Sequence, residues 1–128
     1  MCHEDSHNRN HGTRRFSGVS WALRGDHSED GKGWYVELHI DTYHMNIEEA
    51  DIGAAIGAAG GYIGHVHLAD SDRWYPGHGH YDFQETFQAL KDIGYDGPVA
   101  IECSNFPNED VCGEKGLEYV TGILSELL

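Results

Sequence analysis

The sequence predicts an α/β fold in which strands and helices alternate along most of the 128-residue chain. Short apolar runs rich in β-branched residues recur between longer segments whose apolar residues have helical spacing. One Gly-Gly pair, a Gly-Pro step and helix-capping residues separate these segments. Because such alternation favours parallel strands joined by right-handed crossovers, we expect about three βα units around a parallel sheet.

The first unit begins after Trp34. Residues 35–41 are predicted to form a strand, because the apolar side chains alternate along it at Val36, Leu38 and Ile40. Residues 48–59 are predicted to form a helix: two glutamates open the segment, alanines fill it, and Gly60-Gly61 closes it. The two glycines within that helix lower its intrinsic stability, so it depends on packing against the sheet.

Two further units follow. Residues 62–68 are the second predicted strand, and Asp82 caps a helix that Gly94 closes. The apolar stripe of that helix has helical spacing and consists of Phe83, Phe87, Leu90 and Ile93. Residues 99–102 are the third predicted strand, and residues 116–128 are expected to form the last helix.

Residues 1–33 differ from the rest and are predicted to be an irregular or disordered leader, while residues 34–128 form the folded portion. The leader has many small polar residues, four histidines and one short apolar patch from Val19 to Leu23. Its charges balance, whereas the net charge of −14 lies entirely within residues 34–128.

The strong acidity argues against nucleic acid as a partner, because phosphate binding needs a basic face. No apolar stretch approaches the roughly 20 residues of a membrane span, and the first residues lack the apolar core of a secretory signal. The three cysteines, Cys2, Cys103 and Cys112, are widely spaced and form neither a disulfide framework nor a CxxC zinc motif. We therefore expect a cytoplasmic protein that binds neither nucleic acid nor membrane.

Each predicted strand ends in a residue that can bind a metal ion: Asp41, His67 and Glu102. Parallel α/β folds bind ligands at the carboxyl ends of their strands, so these three side chains are expected to converge at one rim. A mixed oxygen and nitrogen donor set suits one divalent ion such as Mn²⁺, Co²⁺, Mg²⁺ or Zn²⁺. The alternative is that each residue is a solvated strand end.

Three neighbouring residues have open assignments. His44 follows Asp41 by three residues and is either a hydrogen-bond donor to a bound ligand or an ordinary loop residue. Arg73 either forms a salt bridge with Asp70 or Asp72 or orients a substrate oxygen. His65 is expected to face away from His67 and to pack.

The chain resembles the sugar phosphate isomerase/epimerase family, the xylose isomerase-like TIM barrel group that includes ketose 3-epimerases and hydroxypyruvate isomerases. The resemblance lies in four segments that precede Glu102: HIDTYHMNIEE (39–49), GHVHLADSDR (64–73), PGHG (76–79) and GYDG (94–97). Their order and spacing fit the ketose 3-epimerases well, and they correspond to the C-terminal part of that barrel.

The resemblance implies a partial (β/α)8 TIM barrel and a metal-dependent isomerase or epimerase. In the family one divalent ion is held by two glutamates, an aspartate and a histidine, and the resemblance assigns three of these ligands to Asp41, His67 and Glu102. It assigns substrate contacts to His44 and Arg73, and proton transfer to Glu102. The implied substrate is a ketose or a related hydroxy-carbonyl compound, which reacts through an enediolate that the metal stabilises as a Lewis acid.

The second glutamate of the family is not found. It is expected on the strand before Asp41, and the corresponding region around Asn8 contains neither such a strand nor such a residue. A closed barrel needs about 250 residues, so three units leave an open edge that a homo-oligomer would cover. We expect the chain to be a truncated form with weak activity or none.

Three other interpretations stay open. A non-catalytic half-barrel that binds a metal or a sugar, or that serves only as a structural unit, fits the missing glutamate. A multi-zinc endonuclease-like site on the same fold is disfavoured by the negative charge. A cupin interpretation of His65-x-His67 conflicts with the helix signals at 48–59 and 83–93.

Overall fold

The computed structural model describes residues 19–25 and 34–128, with side chains from Glu37 onward. Four strands form one sheet in the order β1-β2-β3-β4: β1 (Val19–Gly25), β2 (Trp34–Asp41), β3 (Ile63–Leu68) and β4 (Val99–Ile101). β2, β3 and β4 are parallel neighbours. This confirms the three predicted strands and their parallel pairing, with bounds that differ by one residue at an end.

β1 is a strand within the segment for which the sequence predicts an irregular leader. It pairs antiparallel with β2 from Val19↔Ile40 to Gly25↔Trp34. The apolar patch from Val19 to Leu23 alternates with a period of two, and the ladder supplies the hydrogen bonds that an isolated strand lacks. The rest of the leader lies outside the described residues.

Helices follow the parallel strands. They are α1 (Thr42–Glu48), α2 (Ile52–Ala59), α3 (Phe83–Asp92) and α4 (Glu109–Leu127). The predicted helix over 48–59 is wrong at its start, because Asp51 caps a new helix by accepting from the Ala54 N–H at 2.8 Å. α3 agrees with the prediction: Asp82 caps it, and Gly94 follows it at φ 70°.

α4 begins seven residues earlier than predicted. The Asn108 side chain caps it by accepting a hydrogen bond from the Val111 N–H at 3.0 Å. Gly113 and Gly116 lower the helix propensity of this first part, which explains why the sequence does not reveal it. Gly116 is buried, and a Cβ there would press against Ile101, so the absence of a side chain lets α4 lie close to β4.

One face of the sheet packs against the helices and forms the core. The strands contribute side chains that alternate with polar ones, and α2, α3 and α4 cover them. The central members of this core are Leu38, Ile40, Val66, Leu68, Ile56, Phe83, Phe87, Leu90 and Val120. The opposite face of β2 and β3 therefore carries the intervening residues of each strand, among them His39, Asp41, His65 and His67. Among the described residues, no helix is both long enough and apolar enough to cross a membrane.

Candidate metal centre

Asp41 lies where β2 ends and α1 begins, and one of its oxygens holds this junction together. Oδ1 accepts hydrogen bonds from the backbone N–H groups of Tyr43, at 2.9 Å, and His44, at 3.3 Å. Aspartate is a preferred residue at a helix N-terminus for this reason. Oδ2 accepts no hydrogen bond from the side chains or backbone that the structure describes, so it is available as a ligand.

Thr42 fixes the end of β2 relative to the end of β3. Its side chain is fully buried, and Oγ1 donates to the carbonyl of Ala69 at 2.6 Å and accepts from the Ala69 N–H at 2.9 Å. Asp41 and His67 are register partners in the parallel ladder between β2 and β3. The two side chains therefore stand side by side at the same rim.

Glu102 completes the group from the third strand. It follows β4 directly, and its N–H donates to the carbonyl of Leu68 at 3.0 Å. Nδ1 of His67 and Oε2 of Glu102 are 2.7 Å apart. Asp41, His67 and Glu102 each offer a ligand atom, and these atoms all lie within 4.8 Å of one another. The structure thus brings together the three residues that the sequence singled out.

The donor set fits a divalent cation. Metal–ligand bonds of about 2.0–2.2 Å place ligand atoms roughly 3–4.4 Å apart around one ion, so small side-chain movements suffice to close the site. Two carboxylates and one imidazole match Mn²⁺, Co²⁺, Mg²⁺ and Zn²⁺. The ligand roles of the three residues remain a prediction.

Arg73 lies on the loop after β3, and His44 lies on α1 rather than on a loop; both are close to Tyr43. The Arg73 guanidinium is 5.4 Å from the centre of the Tyr43 ring, and the Tyr43 and His44 rings are 5.3 Å apart. The Arg73 carbonyl accepts from the Ser104 N–H at 2.7 Å, which joins this loop to the segment after Glu102. The structure therefore places the guanidinium and the imidazole at the same rim as Asp41, and both side chains are exposed.

The alternative of a salt bridge from Arg73 to a neighbouring aspartate is not seen among the described residues. Asp70 is buried and accepts from three backbone N–H groups: Ser71 at 2.7 Å, Gly77 at 2.8 Å and Tyr81 at 3.0 Å. Asp72 instead pairs with His78, at 2.6 Å between Oδ2 and Nδ1. Arg73 itself has φ 66°, in the left-handed region, which costs a non-glycine residue energy.

The Asp72–His78 pair stiffens the same loop. Burial acts to raise the pKa of Asp72, but hydrogen bonds from His78 and from the Trp74 N–H outweigh it, so the pKa lies below its usual value. The Trp74 ring stacks on His78 at 4.0 Å between centroids, and Phe106 lies 4.9 Å from Trp74. These contacts form an aromatic rim beside Arg73.

His39 and His65 are the site residues that the sequence reasoning missed. His65 was expected to face away from His67; this is wrong, because residues two apart in a strand share one face, and the two rings are 4.7 Å apart. His39, two residues before Asp41, lies 4.0 Å from the His67 ring. Burial lowers the pKa of His39, nearby His67 and His65 lower it further, and the carboxylates of Asp41 and Glu102 partly oppose this.

Known proteins with similar sequences point to one family. The model of the xylose isomerase-like TIM barrel family matches residues 30–121. D-psicose 3-epimerase of Ruminiclostridium cellulolyticum is 44% identical over 85 residues, which cover 66% of this chain and 27% of that protein. L-ribulose 3-epimerase of Mesorhizobium japonicum is 47% identical over 99 residues, 77% of this chain and 32% of that protein.

Solved structures agree. The crystal structure of D-psicose 3-epimerase with D-tagatose from Clostridium cellulolyticum H10 aligns with a TM-score of 0.59 and 33% identity, covering 68% of this chain and 36% of that one. The chain thus spans about a third of the length of its relatives. Its three parallel strands with their helices correspond to that share of a barrel, and the match to the family model extends over most of the sequence. The chain belongs to the xylose isomerase-like TIM barrel family.

Proposed function

We propose that this chain carries the C-terminal part of a ketose epimerase site, with Asp41, His67 and Glu102 as ligands of one divalent ion. The observation that supports this most is the convergence of three ligand atoms within 4.8 Å at the carboxyl ends of three adjacent parallel strands. The named activities of the relatives, D-psicose and L-ribulose 3-epimerase, supply the substrate class. A bound ion would polarise a neighbouring substrate oxygen as a Lewis acid.

Three residues of the chain act on the substrate in this proposal: Arg73 and His44 bind it, and Glu102 removes a proton. Arg73, on the loop after β3, and His44, on α1, lie near Asp41, where a guanidinium and an imidazole suit the hydroxyl oxygens of a ketose. The Glu102 carboxylate, within hydrogen-bond reach of His67, acts as the base that removes the proton from the carbon to be epimerised. Full inversion also needs a proton donor on the other face of that carbon.

A second candidate function is a non-catalytic metal- and sugar-binding module. One observation favours it: among the described residues, the candidate ligand group at the rim contains a single glutamate. An epimerase site with one glutamate would remove and return the proton at one face, which exchanges the substrate hydrogen without inverting the carbon, whereas the non-catalytic module would do neither. The two functions therefore differ in a measurable way.

Metal binding is tested first, by titrating the chain with Mn²⁺ in a calorimeter. Glu102→Gln removes a ligand charge, so we expect its Mn²⁺ affinity to fall about tenfold or more. Glu114→Gln is the matched control, because Glu114 is exposed on α4 and belongs to neither candidate ligand group. If the two variants bind Mn²⁺ equally well, the ligand role of Glu102 is wrong.

Turnover is tested with D-psicose in D₂O in the presence of Mn²⁺, followed by NMR. We expect slow deuterium incorporation at C3 with little inversion, lost in Glu102→Gln and kept in Glu114→Gln. Inversion as fast as exchange would contradict proton transfer at a single face, and rapid inversion would refute weak activity. Binding of Mn²⁺ and sugar with neither exchange nor inversion would support the non-catalytic module, and absence of Mn²⁺ binding would contradict both functions.

A further inference from the structure

Three histidines form a second cluster of donors on the polar face of the sheet, next to the rim group. His39, His65 and His67 each offer a ring nitrogen, and these nitrogens all lie within 4.8 Å of one another. The ring centroids are 5.2 Å apart for His39–His65, 4.0 Å for His39–His67 and 4.7 Å for His65–His67. All three side chains are half-buried.

The register of the sheet creates this cluster. The ladder between β2 and β3 shifts after the pair Leu38↔Ile63, so that His39 is opposite His65 and Asp41 is opposite His67. Gly64 takes up the extra position, where a Cβ would overlap the Glu37 side chain. Without this shift, the imidazoles of the two strands would not be opposite each other.

His39 provides an independent sign that a ligand belongs here. Its Nε2 is buried and has no hydrogen-bond partner among the residues that the structure describes. A buried polar atom without a partner destabilises the fold, and buried polar groups in native proteins are rarely left so. A metal ion is a suitable partner for a neutral imidazole nitrogen in this position.

We propose that His39, His65 and His67 form a second cation site, one that prefers nitrogen donors and takes Zn²⁺ or an ion of similar chemistry. Imidazole suits Zn²⁺, whereas carboxylate and water suit Mg²⁺ and Mn²⁺, so the two donor groups differ in the ions they select. Three histidines with an open fourth position form a known kind of zinc environment. His67 belongs to both groups, so an ion held by the three histidines withdraws a ligand from the rim group. This proposal does not depend on the ketose epimerase function.

Substitutions separate the two groups. The 128-residue chain is titrated with Zn²⁺ and, separately, with Mn²⁺. In His39→Leu the Zn²⁺ affinity is expected to fall about tenfold or more, while the Mn²⁺ affinity stays within about twofold. In Asp41→Asn the Mn²⁺ affinity is expected to fall about tenfold or more, while the Zn²⁺ affinity stays within about twofold. His67→Ala weakens the binding of both ions, and pre-loading with Zn²⁺ weakens the binding of Mn²⁺.

His80→Gln serves as the control for weak binding by other histidines, because His80 is exposed and belongs to neither group. Co²⁺ adds a spectroscopic reading: a four-coordinate site gives much stronger visible absorption than a six-coordinate one. That absorption is expected in wild type, Asp41→Asn and His80→Gln and absent in His39→Leu.

Loss of the fold would imitate loss of the site, so each variant is compared by circular dichroism. His65→Gln is the second variant if His39→Leu does not fold. The proposal is overturned if folded His39→Leu, or folded His65→Gln in its place, binds Zn²⁺ as wild type does. It is also overturned if Asp41→Asn and the histidine variant lose Zn²⁺ affinity equally. Failure of Mn²⁺ binding alone would contradict the proposed function and leave this second site standing.

Discussion

The carboxylate of Asp41 connects the start of α1 to the candidate metal site. Oδ1 caps α1 through Tyr43 and His44, while Oδ2 remains for an ion. The position of the His44 imidazole therefore depends on the same side chain that is proposed to bind the metal. A substitution that keeps helix capping and removes metal binding separates these two roles of Asp41.

Asp41→Asn is expected to keep the stability of the chain and to lose metal binding. Asparagine caps a helix as well as aspartate does, whereas Asp41→Ala removes the cap and costs about 0.5–2 kcal/mol. Both variants should lose Mn²⁺ affinity, as calorimetry would show, and urea unfolding without metal should separate them. If Asp41→Asn binds Mn²⁺ like wild type, Asp41 is a capping residue only.

The backbone of Arg73 is strained, and a second prediction follows from this strain. Asparagine tolerates φ near 66° better than arginine or alanine, and the strain costs roughly 1 kcal/mol. We therefore expect Arg73→Asn to be at least as stable as wild type, and Arg73→Ala to be no more stable than wild type. Both should lose ketose binding, measured by calorimetry with D-psicose and Mn²⁺. Unchanged ketose affinity in both variants would remove Arg73 from the site.

The residues at strand ends were predictable, and those within the strands were not. Asp41, His67 and Glu102 follow from the rule that parallel strands present their carboxyl ends at one rim. His39 required the correct use of the two-residue period and the register shift at Gly64, which no local pattern in the sequence reveals. Asp70 was weighed only as a partner of Arg73, because its three backbone donors come together only once the loop has folded.

At the scale of elements, the loop between β3 and α3 is organised by the buried carboxylate of Asp70. Its three hydrogen bonds come from Ser71, Gly77 and Tyr81, at both ends and in the middle of the loop. Arg73 and two members of the aromatic rim, Trp74 and His78, lie on this loop. The buried Asp70 side chain therefore stabilises the loop conformation in which the Arg73 guanidinium is exposed.

Asp70→Asn is expected to destabilise the chain by about 1–3 kcal/mol, because an amide NH₂ cannot accept and one buried donor loses its partner. Asp82→Asn is the matched control: Asp82 accepts one hydrogen bond, from Glu85 N–H at 2.9 Å, and asparagine can replace it as a cap. Equilibrium unfolding in urea measures both. Equal midpoints for the two variants would contradict the role given to Asp70.

Element boundaries show where sequence patterns fail. Three strands and the helix that Asp82 caps were predicted closely, because each has a clear apolar period between turn residues. α1 was missed because it is short and depends on the Asp41 cap, and the start of α4 was hidden by its glycines. In both helices a cap and tertiary contact outweigh weak intrinsic propensity.

For the whole molecule, the outer edge of β4 has no strand beside it among the described residues. β4 is three residues long, and Val99 is 41% exposed there. Unpaired strand edges promote association with other chains. The expectation of a homo-oligomer accordingly remains a proposal, with β4 as the surface that we propose to carry it.

Val99→Lys is expected to reduce self-association, since a lysine on an edge strand opposes edge-to-edge pairing. Sedimentation over a range of protein concentrations measures the effect. Ile47→Lys is the control, because Ile47 is an exposed apolar residue on α1, 63% accessible, and not on a strand edge. Equal association of wild type and Val99→Lys would show that this edge plays no part.

The antiparallel strand β1 has a consequence for how the sheet grows. In a closed barrel of this family β2 would have a parallel neighbour on each side, but here seven backbone pairs already occupy its outer side. A parallel strand that pairs with β2 on this side must displace β1, because the edge of β2 is already occupied. The hydrogen bonds between β1 and β2 must open first, and this opening limits the rate of the exchange. At β4 nothing described has to leave first. A strand can therefore add to the outer edge of β4 directly, whereas a parallel neighbour of β2 can form only after β1 has been displaced.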